Sequence, residues 1–420
     1  LPSDTAAARA AETAARTAYG RLLAWLAWQW RDIAAAEDAL ADTLLAALTA
    51  WPRDGVPASP EGWLMTAAKR NLLKVARHRR LAEDPAVTAL LPGADDIAPA
   101  LRELPDDRLR LMFVCAHPAI EPGVRTALML QTVLGVDAAR IAHGYLVAPE
   151  AMTKRLVRAK AKIKATGIRF EEPEARELPS RVAWVLEAIY GAYTLDWNHA
   201  AEPLVHGDRP AADHLAAEAH YLAALVTSLL PQDAEAWGLL ALIELNESRR
   251  QARIDAQGLL VPLHEQDPQA WDAALIDQAG AHLAKAASLQ CAGPFQLEAA
   301  IQMAHTARRH GKPTPWRDIQ LLYETLLALH PSVGALIGHA LATAYASADP
   351  VLGLERLQAV DEKRRAQHQP WWAAQAHLLE RAGQRDAALR AYEQALLLTR
   401  SETLRRTLVA RQSALAGVPH

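Results

Sequence analysis

Glycine, cysteine and aromatic residues are scarce in this 420-residue chain, and β-branched residues are few. Alanine and leucine dominate instead, a composition that favours helix almost everywhere. The two cysteines, Cys115 and Cys291, lie far apart and have neither metal-ligand nor redox spacing. Two cysteines in a chain this long fit a reducing compartment. No apolar run reaches the roughly 18 residues of a membrane span. Leu1-Pro2-Ser3-Asp4 carries no signal-peptide pattern. The expected location is therefore the cytoplasm, with no membrane partner. Also missing are a phosphate-binding Walker loop, a dinucleotide fingerprint, a His-Glu metal motif and a nucleophile elbow. No catalysis, cofactor or metal is expected.

A strong charge of either sign is lacking too, since the formal net charge is −3. The charge is nevertheless unevenly placed, and distribution matters more than the total for a nucleic-acid footprint. Residues 69–80 carry six Lys or Arg and no acid, and residues 152–164 repeat that pattern.

At about 100–200 residues per domain, this length holds two to four domains. Helical spacing joins Tyr19, Leu22, Leu23, Leu26, Trp30 and Ile33. A second helix is expected over 36–51, with Leu40, Leu44, Leu45 and Leu48 on one face. Ser59-Pro60-Glu61 marks the start of a third, which runs to about residue 80. Its inner stripe is expected to be Leu64, Ala67, Ala68, Leu72, Val75 and Ala76. Two acidic, proline-containing stretches, 85–104 and 169–180, read as linkers. They bound an all-α arrangement of a domain at 1–84, a second at 105–168 and a helical-repeat domain at 181–420.

The sharpest signal lies in residues 136–163. Asp137 can cap a helix containing Ile141 and the small Ala142, which permits a close helix crossing. Tyr145, Leu146 and Val147 are expected to turn inward, and Pro149 to start the next helix. Met152, Leu156, Ala159 and Ile163 then form its buried face. Thr153, Lys154, Arg155 and Arg158 are left outside, as major-groove docking requires. Guanidinium and ammonium groups there can reach base edges or phosphates. In the helix near residue 70, Trp63, Lys69, Arg70, Asn71, Lys74, Arg77 and Arg80 are candidate nucleic-acid contacts. Asn71 is the candidate base reader, and the cations would hold the backbone. His117, next to Pro118, reads as a packing or helix-end residue. Cys115, in an apolar run, reads as core.

Taken together, these segments resemble the extracytoplasmic-function sigma factors of RNA polymerase. The stretch 36–48 looks like that family's polymerase-binding helix, Trp63 to Arg80 like its minus-ten helix, and 136–163 like its region-four helix-turn-helix. One subgroup is similar over nearly the whole chain. It carries Cys115-Ala116-His117-Pro118, Leu146 to Met152, and a long extension related to tetratricopeptide repeats. Lys74 stands where the family often has an acid, and Leu146 where most relatives outside the subgroup have a turn glycine.

The resemblance implies an alternative sigma factor whose partners are core RNA polymerase and promoter DNA. Glu37, Asp38 and Asp42 would dock on the polymerase. Thr153, Lys154, Arg155 and Arg158 would read the minus-thirty-five element, and the helix from Trp63 would help melt the minus-ten element. From its size, over half the chain, the C-terminal extension is expected to regulate, through a contact with the two N-terminal domains or with the polymerase, the other reading being a passive helical cap. In it Trp372, Gly383, Ala388, Tyr392 and Ala395 fall at tetratricopeptide offsets. Two other readings are a conventional helix-turn-helix regulator and a repeat scaffold without a DNA role. No ligand-pocket signature is visible in the extension.

Overall fold

The computed structural model describes residues 2–81, 107–145, 147–168, 170, 173, 176–199 and 212–417. These residues are all-α; among them the only strand-like feature is an isolated bridge between Ile254 and Leu260. The expected linker 85–104, Leu146 and the break at Gly207-Asp208 lie outside the described residues, as do 169, 171, 172, 174 and 175 of the expected second linker. The chain divides into two compact units, residues 1–195 with 213–219, and 196–212 with 220–420. The boundaries expected near 85, 105, 169 and 181 all fall within the first unit.

In the first unit, α1 (Pro2–Trp30), α2 (Ile33–Asp54) and α3 (Pro60–Leu81) pack together. Then come α4 (Arg108–Cys115), α5 (Pro122–Thr132), α6 (Ala138–Gly144) and α7 (Pro149–Ala165). Most of α8 (Leu178–His199) also belongs to this unit. Leu22, Leu23 and Leu26 of α1 are buried, as is Ile33 at the start of α2. Asp32 caps α2, its carboxylate accepting from the Ala35 amide at 3.1 Å.

The buried face of α2 is Ile33, Ala36, Ala39, Leu40, Thr43, Ala47 and Trp51, which corrects the expected leucine face. Leu45 is 65% and Leu48 48% exposed. Five residues at 3.6 per turn carry Leu45 roughly 140° around from Leu40, off the packed side. On α3, Leu64, Ala68 and Leu72 are buried, but Val75 is exposed because the buried stripe ends at Leu72. Ala76 lies among side chains outside the description.

One contact fixes how closely α1 can approach its neighbour. A Cβ added at Gly20 would lie 2.0 Å from the carbonyl oxygen of Val133, just past α5. Backbone cannot yield as a flexible side chain can, so Gly20→Ala should force the two elements apart. The expected loss is about 1–3 kcal/mol, the usual range for overpacking, read as a lower urea midpoint with an unchanged m-value.

The second unit takes the latter part of α9 (Ala212–Leu229), then α10 (Ala234–Glu247) and α11 (Ala273–Ser288). It continues with α12 (Pro294–His305), α13 (Trp316–Leu329), α14 (Val333–Ser347), α15 (Pro350–Leu357) and α16 (Glu362–Ala366). It closes with α17 (Gln369–Arg381), α18 (Arg385–Leu398) and α19 (Glu402–Ala416). Contacts run mainly between helices near in sequence, as in repeat architectures. Pro294 and Pro350 sit in the first turns of their helices, where a missing amide costs nothing.

The residues expected at tetratricopeptide offsets fall on the pair α17 and α18. Gly383 turns between them at φ +71°, a conformation side chains disfavour. Ala376, Ala388 and Ala395 are completely buried and Tyr392 is 1% exposed, in one core cluster with Leu379 and Leu408. Trp372 is partly buried against this cluster and the one next to it. Its neighbour Trp371 is the deeper ring, and its indole N–H donates to the Leu357 carbonyl at 3.0 Å.

Candidate nucleic-acid interface

The helix-turn-helix is built by local rules. Asp137 caps α6, accepting from the Arg140 amide at 2.8 Å. Ala142 is fully buried at the crossing, and the Val147 amide donates to its carbonyl at 3.0 Å. Pro149 opens α7. Met152, Leu156, Ala159 and Ile163 form the buried stripe. Spacings of four, three and four keep them on one side. The same periodicity leaves Thr153, Lys154, Arg155 and Arg158 exposed. The Thr153 hydroxyl donates to the Pro149 carbonyl at 2.9 Å, and Arg158 Nε reaches the Lys154 carbonyl at 3.3 Å. Val157, 59% exposed among these cations, is an apolar member of the face that charge counting missed.

Tyr145 departs from the inward position expected of it. It is 38% exposed, because it is the C-terminal cap of α6 and its hydroxyl meets Thr126. His117 serves locally: its Nδ1 accepts from the Ala119 amide at 3.1 Å. Cys115 is fully buried, and burial pushes its thiol up to about 12, so it holds its proton.

The basic segment of α3 is divided by packing. Trp63 meets the buried Trp51 edge to face, with ring centroids 5.6 Å apart. Lys69 Nζ lies 4.1 Å from the centre of the Trp25 ring, and burial lowers its pKa from the ordinary value. Asn71 Nδ2 donates to Thr43 Oγ1 of α2 at 3.2 Å, so the candidate base reader joins two helices of this unit. Arg70 and Lys74 are exposed. The side chains of Arg77 and Arg80 lie outside the described residues.

The acidic candidates of α2 divide in the same way. Asp38 and Asp42 are exposed, on a face that also carries Leu45 and Leu48. Glu37 instead receives Lys160 of α7, with Nζ 2.7 and 2.6 Å from its two oxygens. Lys164 reaches Asp32 at 2.6 Å. Burial raises the pKa of Glu37 despite the lowering effect of Lys160. Two residues 123 positions apart have no spacing pattern, so sequence reasoning had no means of pairing them.

The resulting surface carries exposed cationic side chains on α7 and a mixed acidic and apolar strip on α2. A family described as a "Family of unknown function (DUF6596)" matches residues 181–287, which reach from α8 to α11. A Rhizobium meliloti (strain 1021) protein, "Uncharacterized protein R00370", is 35% identical over 320 residues, 74% of each chain. The chain belongs to the same family as that protein. No solved structure matches it. Within this family the match to the unknown-function domain begins after the helix-turn-helix, so the candidate interface lies outside the matched segment.

Proposed function

We propose that this protein is a sigma-type transcription-initiation factor, regulated by its C-terminal helical repeats. One observation carries the reading: a single unit presents both a cationic second helix of a helix-turn-helix and a separate helix with an open acidic and apolar face. The first is chemistry for duplex DNA. Lys154 and Arg155 make no ion pair among the described residues, so their charge is available to phosphates or to guanine edges. Exposed Val157 can meet a thymine methyl group. The second is chemistry for a protein partner, since apolar residues flanked by charge mark association surfaces.

A conventional regulator needs the α7 face but has no use for the α2 face. The test is reconstitution of the full chain with core RNA polymerase, followed by co-elution and transcription from a genomic promoter library. Co-elution with promoter-specific transcripts is the expected result. The variant Leu45→Glu/Leu48→Glu should weaken polymerase binding at least about ten-fold, because it puts two carboxylates where the partner must be desolvated. Its Tm should stay within a few degrees of the parent, since both side chains are in solvent already. Unchanged co-elution of that variant would remove α2 as the docking surface.

A further inference from the structure

The second unit contains a cavity of about 610 Å³, within the roughly 300–1,000 Å³ range of small-molecule sites. Residues distant in sequence wall it, from Trp197 near the end of α8 to Arg411 of α19. Trp316 and Tyr345 stack on one side, their ring centroids 4.3 Å apart and their planes 13° off parallel. Leu260, Leu341 and Leu408 supply much of the apolar lining. Three arginines are also among its lining residues, Arg249, Arg253 and Arg411, and no Asp or Glu is. Arg253 lies over the Trp197 ring at 3.7 Å, and Arg411 is held by Glu265 at 2.8 Å.

Three residues of this lining each carry a buried polar atom without a protein partner: Gln302 Oε1, His305 Nδ1 and Gln369 Nε2. His305 is only 8% exposed. Packing alone does not require such atoms, because leucine would close the same space without the cost of an unmet hydrogen bond. The Tyr345 hydroxyl sits between His264 Nε2 at 3.1 Å and His377 Nε2 at 2.8 Å. Burial, assisted by nearby cations, lowers His305 to about 3 and His377 to about 4. Near neutral pH these rings therefore offer hydrogen bonds without charge.

We propose that the cavity is a binding site for a small aromatic carboxylate. Its flat body would lie against Trp316, because the Tyr345 ring already has Trp316 on one face and the Arg381 guanidinium 4.4 Å from its centre. Its carboxylate would face Arg249, Arg253 and Arg411, and its polar substituents would turn toward Gln302, His305 and Gln369. Offset stacking favours an aromatic over an aliphatic body. Planar guanidinium donors favour a carboxylate over a neutral group. The proposal stands on the second unit alone and does not depend on promoter recognition.

The test is isothermal titration of the full chain with naphthalene-2-carboxylate, indole-3-acetate and 4-hydroxybenzoate, each paired with its neutral primary amide. At least one acid should bind saturably, one per chain, with its amide weaker by about ten-fold or more. His305→Leu and Gln369→Leu should each weaken that binding about ten-fold, while the Tm of the protein without added acid stays level or rises. The rise separates a ligand-directed polar atom from a structural one, whose loss lowers Tm. Absence of saturable binding by all three acids would overturn the proposal, as would equal affinity for acid and amide. Full affinity in a folded Gln369→Leu variant would do the same, even if His305→Leu failed to fold.

Discussion

Replacing Lys154, Arg155 and Arg158 together with alanine should lower promoter affinity by two to four orders of magnitude. A bidentate arginine contact with guanine is worth about 1–3 kcal/mol, and loss of a phosphate contact weakens binding to every sequence alike. Across the three side chains, the sum is about 3–6 kcal/mol. A second readout separates the two kinds of contact. If about six phosphates are neutralised, log affinity should fall with log salt at a slope near −5, at roughly −0.9 per contact. The triple variant should be shallower by about two to three units. Stability should barely move, because none of the three side chains enters the buried stripe of Met152, Leu156, Ala159 and Ile163. Parent-like affinity and slope, measured with the polymerase holoenzyme on duplex promoter, would remove α7 as the DNA-reading element.

The second large effect concerns stability alone. Glu244, on α10, has a fully buried side chain. It accepts from Gln278 Nε2 at 2.8 Å and meets His282 Nδ1 at 2.8 Å and His220 Nε2 at 3.2 Å. These partners come from α11 and α9, so one carboxylate ties three helices together. Glu244→Leu would leave all of those groups without their acceptor. The expected cost is about 1–3 kcal/mol, the usual range for hydrogen-bonding groups that lose a partner, because solvent partly reaches His220 and His282. Urea unfolding measures it, and a loss below about 1 kcal/mol would show that the network is replaceable.

The same carboxylate gives a pH dependence with a definite sign. Burial works to raise its pKa, but the hydrogen bonds and charge of His220 and His282 outweigh burial and leave it below the ordinary 4.5. A lowered folded-state pKa means that the unfolded chain takes up the proton first as the pH falls. The stability Glu244 contributes is therefore complete above the ordinary value and is lost as pH falls through the lowered one. Comparing the Tm of the parent and Glu244→Gln from about pH 7 down to about pH 3 should show the gap between them closing in acid.

Much of this architecture was legible in local pattern. The helix-turn-helix could be read because its parts obey rules a few residues long: an aspartate at the cap, an alanine at the crossing, a proline at the start, and apolar residues repeating at four, three and four. The α17–α18 pair was legible for the same reason, with Gly383 at the turn and small alanines at the contact. Where two faces of a helix are both apolar, the pattern is ambiguous. Leu45 and Leu48 share an apolar pattern with Leu40, and only the packed neighbours of α2 reveal that the buried side is Ala36, Ala39, Leu40, Thr43 and Ala47. Asn71 and Lys69 read as nucleic-acid contacts because their residue types suit that task. Thr43 and Trp25, which occupy them, are not near them in sequence.

The amino-acid sequence by itself determined the all-α class, the helix starts and stops, and the cationic outer face of α7. Each depends on backbone propensity, capping or helical period, all confined to a few neighbouring residues. Tertiary structure alone decided that Lys160 would pair with Glu37, that Glu244 would hold His220 and His282, and that one cavity would gather Gln302, His305 and Gln369 beside three arginines. Those arrangements join residues tens to more than a hundred positions apart, and their energies come from burial and from matched partners. Neither exists until the helices have packed.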